Sequence, residues 1–182
     1  MIIFLGGAHG VGKSYLATRV LSQLEIEHLT ASQLIREAKG YASWSEDRRA
    51  QDVDANQELL IAAVKRRAEA TTHLVLDGHF VLRGADNQLL KLGSDVFAQL
   101  QVGAVILVEA PHDVVMERLG ARSGTVPSLA DIAALSLAER EHAEYVSSNL
   151  RVPFVCLQSP SGLAFADVVR ALLRPPVDHP SS

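Results

Sequence analysis

Gly7-Ala8-His9-Gly10-Val11-Gly12-Lys13-Ser14 is the stretch on which the reading of this chain turns. It fits the pattern G-x-x-x-x-G-K-[ST], it follows the short aliphatic run Ile2-Ile3-Phe4-Leu5, and it opens a segment with helical spacing. Glycine at 7, 10 and 12 lets the backbone curl tightly with its N–H groups pointing inward, and a helix beginning at Lys13 adds its positive end to the same concavity. A loop of this kind holds phosphate. Lys13 is long enough to reach β- and γ-phosphate oxygens, and the Ser14 hydroxyl is a suitable oxygen ligand for Mg²⁺. The expected nucleotide-binding run is therefore Gly7, Ala8, His9, Gly10, Val11, Gly12, Lys13, Ser14 and the adjoining Tyr15, with ATP and Mg²⁺ as the implied ligands. His9 contributes either its backbone alone or, as the alternative, a ligand or acid–base group.

A phosphate-bound cation needs a second anchor. Leu74-Val75-Leu76-Asp77 is an apolar strand ending in a carboxylate, so Asp77 is the expected partner of Ser14 at the metal.

Working outward, short aliphatic runs alternate with longer helical patterns, the signature of βαβ units on a parallel sheet. Strands are expected at Ile2 to Leu5, Glu27 to Leu29, His73 to Leu76, Ala104 to Val108 and Pro153 to Leu157. Helices are expected at Lys13 to Leu24, Ser32 to Ala38, Glu46 to Ala70, Pro111 to Arg122, Leu129 to Leu150 and Gly162 to Leu173. Val53, Leu60, Ile61, Val64 and Ala68 form one apolar stripe, and Phe165, Val169, Leu172 and Leu173 another; both are core faces. Ser43 with Glu46 and Ser128 with Asp131 have capping-box spacing, and Pro111 suits a first helical turn. The fold class that follows is α/β, a three-layer sandwich on a five-stranded parallel sheet in the order 2-3-1-4-5, with the phosphate site at the carboxyl ends of the strands.

Composition sets the outer limits. A chain of 182 residues, 48% hydrophobic and 21% charged, has the length and make-up of one folded domain and lies outside the disordered class. Residues 1–174 read as that single domain, and 175–182, with three prolines, as a flexible tail. A net charge of -4 gives no basic footprint for duplex nucleic acid or an anionic membrane. No stretch is long enough to span a bilayer, and Met1 to Leu5 is too short for a secretory leader. Cys156 is the only cysteine, so an intramolecular disulfide and a cysteine-rich zinc site are both excluded. It lies in the apolar run Val152 to Leu157, where a buried strand residue is expected, and a cytoplasmic location is the corresponding expectation.

With these residues in hand, the chain resembles the adenylate-kinase-like group of P-loop nucleoside and nucleotide kinases, and most of all the small archaeal-type adenylate kinases. Thr30-Ala31-Ser32-Gln33-Leu34-Ile35-Arg36 is similar to the segment with which that family offers an arginine to the acceptor phosphate, which implies that role for Arg36. Asp77-Gly78-His79 resembles the family's D-G or D-T-H element, and Arg83 falls where a basic residue meets the acceptor. Glu117-Arg118-Leu119-Gly120-Ala121-Arg122 resembles the helix leading into a lid, here a short one near 118–128, whose arginines close on the transferring phosphates. The resemblance thus implies Lys13, Arg83, Arg118 and Arg122 as catalytic, with Arg36 and Arg83 binding the acceptor. Gln158-Ser159-Pro160-Ser161-Gly162 matches the position of the family's adenine-contacting loop, and a plain turn is the other reading. The chain departs from the pattern in reading D-G-H for D-T-H and in lacking a Gly-Tyr element between Arg83 and Leu92.

The acceptor is approached independently through chemistry. A hydroxyl acceptor benefits from a carboxylate base near the end of the second strand, and Leu29-Thr30-Ala31-Ser32 offers none. A phosphate acceptor needs cationic clamping instead, which Arg36, Arg48 or Arg49, and Arg83 are placed to supply. The leading expectation is transfer of the γ-phosphoryl group of ATP to a phosphate-bearing small molecule, a nucleoside monophosphate above all. Two alternatives stay open: a kinase for a sugar, metabolite or polynucleotide hydroxyl with His79 as base, and a nucleotide-dependent regulatory module acting on a partner protein. A signalling GTPase is disfavoured by the lack of an N-K-x-D motif. Glu139-Arg140-Glu141-His142 reads as a salt-bridged exposed face, with Arg140 pointing into the lid as the alternative. Tyr41 and Trp44 either stack on an acceptor base or cover the core edge, and Asn56-Gln57 either bond a base or sit on their helix without a role.

Overall fold

Side-chain alternation along the strands decides which layer each residue joins. The structure is a computed structural model that describes residues 1–40, 53–84, 88–123 and 127–174. Its central sheet comprises β1 (Ile2–Gly6), β2 (Glu27–Thr30), β3 (Leu74–Asp77), β6 (Val102–Glu109) and β7 (Phe154–Gln158). All neighbours are parallel, in the order β2-β3-β1-β6-β7. Counted within the sheet alone, that is the expected order 2-3-1-4-5. Ile2, Phe4, Leu74, Leu76, Val105 and Leu107 face one side, while Ile3, Leu5, Val75, Ala104, Ile106 and Val108 face the other. Burial on both faces is what makes these strands read as continuous apolar runs.

Helices cover the two faces. On the first lie α2 (Ala31–Lys39), α3 (Val53–Ala68), α4 (Ser94–Gln99) and most of α6 (Leu129–Leu150); on the second lie α1 (Lys13–Leu21), α5 (His112–Ser123) and α7 (Gly162–Leu173). Of the first stripe read from sequence, Leu60, Ile61 and Val64 are buried with Val53 and Ala68 packed beside them; of the second, Phe165 and Val169 are buried. Ser128 caps α6 by accepting from the Asp131 N–H at 3.1 Å, as its spacing predicts. Pro111 lies just outside α5, its carbonyl accepting from Val115 N–H at 3.0 Å.

Several boundaries differ. The first helix ends at Leu21, and Ser22–Leu24 tightens into a 3₁₀ turn that leads through Glu25 in the left-handed region to β2. Asp77 belongs to β3 and pairs in register with Leu5 of β1 and Thr30 of β2, so it lies among strand ends and not in a turn. Between β3 and β6, where no element is expected, the chain forms an antiparallel pair, β4 (Val81–Arg83) with β5 (Leu89–Lys91), followed by α4. These runs of three residues carry too little pattern to be read without their partners. Ser43, Glu46, Arg48, Arg49, Tyr41, Trp44, the start of the expected third helix, most of the lid segment after Ser123 and the tail 175–182 lie outside the described residues.

Candidate phosphate-transfer site

The loop between β1 and α1 has the backbone that its sequence requires. Gly7, Gly10 and Gly12 have φ of 136°, 86° and 105°, which side chains rarely adopt. Gly7 is also hemmed in: a Cβ there would lie 2.2 Å from the Val108 carbonyl oxygen. Lys13 is only 6% exposed, and its Nζ donates to the loop's own carbonyls, Gly7 O at 2.5 Å and Ala8 O at 3.2 Å. Burial lowers its pKa, while the Asp77 and Glu139 carboxylates hold the proton on.

Ser14 Oγ donates to Asp77 Oδ2 at 2.6 Å. This puts two oxygen donors from α1 and β3 side by side at the strand ends, a donor set that fits a hard divalent cation. Burial would raise the Asp77 pKa, but the His28 imidazole, the Lys13 charge, the Ser14 hydroxyl and His79 together outweigh it, and the carboxyl titrates below its ordinary range. His28 Nε2 is 3.9 Å from Asp77 Oδ2, longer than a hydrogen bond, and has no hydrogen-bond partner among the described residues.

His79 follows immediately. Its ring stacks on that of His9 from the phosphate loop, with centroids 3.9 Å apart and planes inclined by 16°. Its Nδ1 lies 3.2 Å from Glu139 Oε1 on α6. Burial and the nearby Lys13 charge depress the His79 pKa against the pull of Glu139 and Asp77. Gly6 makes room for what comes next: Phe80 sits where a Cβ at 6 would be, 2.3 Å from it, and packs edge-on against Phe4 with centroids 4.8 Å apart. The aromatic plug thus fixes the turn that carries His79.

The arginines divide by place. Arg118 reaches over the loop, its Nη1 donating to Gly10 O at 3.1 Å and Val11 O at 3.0 Å. Arg122, one turn further along α5, is exposed, as are Arg36 on α2 and Tyr15 on α1. Arg83, on β4, is half-buried, with Nη1 3.6 Å from Asp131 Oδ1 and Nη2 donating to Asp131 O at 3.4 Å. Arg140 pairs with Glu109 at the end of β6, which Gln158 and Cys156 also contact. The Cys156 thiol is half-buried and not fully buried as its apolar run suggests, and burial and Glu109 push its pKa up to about 11. In the loop after β7, Ser161 caps α7 by accepting from Ala164 N–H at 3.2 Å.

The reading of Glu139 to His142 as a salt-bridged exposed face holds for Arg140 and for Glu141, which pairs with Lys91, and is overturned for the other two residues. Glu139 and His142 do not lie on an exposed face; they are 1% and 6% exposed. Glu139 accepts from the backbone N–H of Phe80 at 3.1 Å and of Val81 at 3.3 Å, and His142 Nε2 lies 2.5 Å from Leu92 O. The signal was available in the spacing, because Leu135, Glu139, His142 and Val146 fall on one stripe of α6 with Ala138 and Ala143. A carboxylate on an apolar stripe needs partners, and here they come from the turn after β3. Asn56 and Gln57 are also buried on α3.

No described helix is long and apolar enough to cross a membrane, and no cluster of three or more His, Cys, Asp or Glu suited to a metal occurs among the described residues. No curated protein matches the chain in sequence. Solved structures do match its fold. A shikimate kinase from Aquifex aeolicus superposes with a TM-score of 0.59 at 16% identity, over 94% of this chain and 96% of that one. YorR from Bacillus subtilis, in complex with phosphorylated GDP, gives 0.62 at 17% identity over 95% of each chain. A sugar kinase from Janibacter gives 0.55 at 16% identity over 94% and 92%. At such identities the likeness is one of fold, a P-loop α/β sandwich. Sequence carries the rest: residues 6–135, which include the phosphate loop, Asp77, His79 and Arg118, match the AAA domain family, and the chain belongs to it.

Proposed function

We propose that this chain is an ATP-dependent small-molecule kinase whose acceptor bears a phosphate, a nucleoside monophosphate being the first candidate. The observation that carries the reading is the 2.6 Å contact of Ser14 Oγ with Asp77 Oδ2, with Lys13 one residue away on a loop held open by left-handed glycines. Mg²⁺ held there by Ser14 and Asp77 would offset negative charge on the phosphate oxygens. The chain's own groups do the remainder. Loop N–H groups and Lys13 Nζ take phosphate oxygens in place of the Gly7 and Ala8 carbonyls, and Arg118 rests against the same loop. Arg122 would close on the transferring group, and Arg36 and Arg83 would hold the acceptor phosphate, as the likeness to archaeal-type adenylate kinases suggests. The short lid near 118–128 belongs to the same proposal. Neighbours described as a shikimate kinase and a sugar kinase support catalysis of phosphoryl transfer over a purely regulatory role.

A second reading has its own observation. His79, stacked on His9 and hydrogen-bonded to Glu139, is a fixed imidazole beside Asp77, which favours an acceptor hydroxyl. Incubation with Mg²⁺ and ATP against nucleoside monophosphates, nucleosides, sugars and oligonucleotides separates the two. Phosphorylated nucleoside monophosphate is the expected product. Transfer only to hydroxyl acceptors would replace the first reading with the second, and turnover to water alone, with no acceptor response, would favour the regulatory module.

A further inference from the structure

Helix α6 is fastened to the segment after β3 at successive points. Asp131 takes Arg83 at its start, Glu139 takes three groups in its middle, and His142 meets the Leu92 carbonyl a turn later. The central fastening has a chemical consequence. Backbone N–H groups only donate, so both oxygens of Glu139 are acceptors: Oε2 from Phe80, Oε1 from Val81. The ionised carboxylate, the form that these two N–H groups stabilise, can only accept from His79. The contact at 3.2 Å therefore requires a hydrogen on Nδ1, and in the neutral ring Nε2, on the far edge, is left as an acceptor.

We propose that Glu139 is a positioning residue for the phosphate site: it fixes the tautomer and ring plane of His79 and so presents the Nε2 edge beside the phosphate loop. The stack of His79 on His9 holds the ring from its face while Glu139 holds it from its edge, which leaves the side chain no free rotation. Such outer partners set the orientation and hydrogen-bonding pattern of an imidazole that does the work. This inference rests on the kinase reading for its effect on turnover, though not for its effect on the ring.

Glu139→Gln is the sharpest probe. Its amide keeps the shape of the carboxylate but has two hydrogens on one terminal atom. With nitrogen at the Oε2 position it would face the Phe80 N–H and leave an oxygen at Oε1 to accept from Nδ1–H; with nitrogen at the Oε1 position it would face the Val81 N–H and bond Nδ1 only if His79 moved its hydrogen to Nε2. Long-range ¹H–¹⁵N spectra of the full chain are expected to show the Nδ1–H tautomer of His79 in the wild type. The Nε2–H tautomer in the wild type would overturn the proposal. In turnover of Mg²⁺ and ATP, Glu139→Gln should lower kcat by about 10²-fold with the KM for ATP little changed, within the range a positioned proton-handling group contributes. In a His79→Phe background, which keeps the stack and removes the nitrogens, Glu139→Gln should cost nothing more. Equal losses with and without His79 would mean that Glu139 serves the fold alone. If Glu139→Gln fails to fold, His79→Phe decides: wild-type turnover in that variant overturns the proposal. A wild type that turns over no ATP would sink the kinase reading instead, and the tautomer spectra would then decide the positioning by themselves.

Discussion

The phosphate loop and the turn after β3 meet at the ends of β1 and β3, yet they are built by opposite means. The loop is made from eight consecutive residues, and its shape comes from backbone angles that glycine permits. The turn is held by a side chain 60 residues away, with Glu139 gathering His79 and two backbone N–H groups into one buried carboxylate. A backbone-built element keeps its geometry wherever its neighbours go. A side-chain-built one follows the helix that carries its anchor, here α6. In the proposed reaction the loop would grip phosphate through its own backbone, while the imidazole beside it is placed by a side chain of α6.

The largest test of this contrast is Lys13→Ala. Because Lys13 Nζ, among the described residues, bonds loop carbonyls and sits among carboxylates, its loss should reduce phosphoryl transfer by about 10³ or more while the circular dichroism of the chain stays unchanged. Retained turnover would mean that the loop does not grip the transferred phosphate. Gly7→Ala comes next and attacks the backbone itself. Its Cβ would collide with the Val108 carbonyl at a φ of 136°, so thermal denaturation should show a loss of about 1–3 kcal/mol together with lost nucleotide binding. An alanine variant that binds ATP normally would show that the loop is less constrained than its angles imply.

Asp77→Asn should cost less, because it keeps the shape at Ser14 and removes only charge. Activity is expected to fall about tenfold, with half-maximal activation moved to higher Mg²⁺ and partial recovery in excess. Superimposable Mg²⁺ titrations for variant and wild type would remove Asp77 from the metal. The smallest and most selective effects belong to the arginines. Arg36→Ala and Arg83→Ala should raise the acceptor KM by about tenfold and leave ATP affinity alone, whereas Arg122→Ala should act on kcat. Arg83 already has Asp131 as a partner, so Asp131→Ala should alter the same KM. If it does not, that pair is a fastening of β4 to α6 and nothing more.

The same contrast explains what could be read before any coordinates. The strand order, the loop and the Asp77–Ser14 pairing were legible, because they depend on contiguous residues and on buried strands that announce themselves as apolar runs. Glu139 was overlooked: its place on the apolar stripe of α6 was legible, but the mixed charge around Arg140 and Glu141 reads as a solvated face, and the partners at 79–81 that satisfy a buried carboxylate lie in another segment. The β4–β5 pair was missed for a related reason, since three-residue strands take their identity from each other. The engagement of Arg140 by Glu109 likewise depends on β6 and α6 meeting, which neither segment encodes alone.

The central claim, that this loop and Asp77 serve transfer of phosphate and not mere nucleotide binding, is tested most directly by following the label of γ-labelled ATP. Wild-type chain and Lys13→Ala are incubated in parallel with Mg²⁺ and the acceptor that responds best, and the label is partitioned between organic acceptor and inorganic phosphate. The account predicts label on the acceptor with the wild type and none above background with Lys13→Ala. Label confined to inorganic phosphate, or transfer equal in the two proteins, would contradict it.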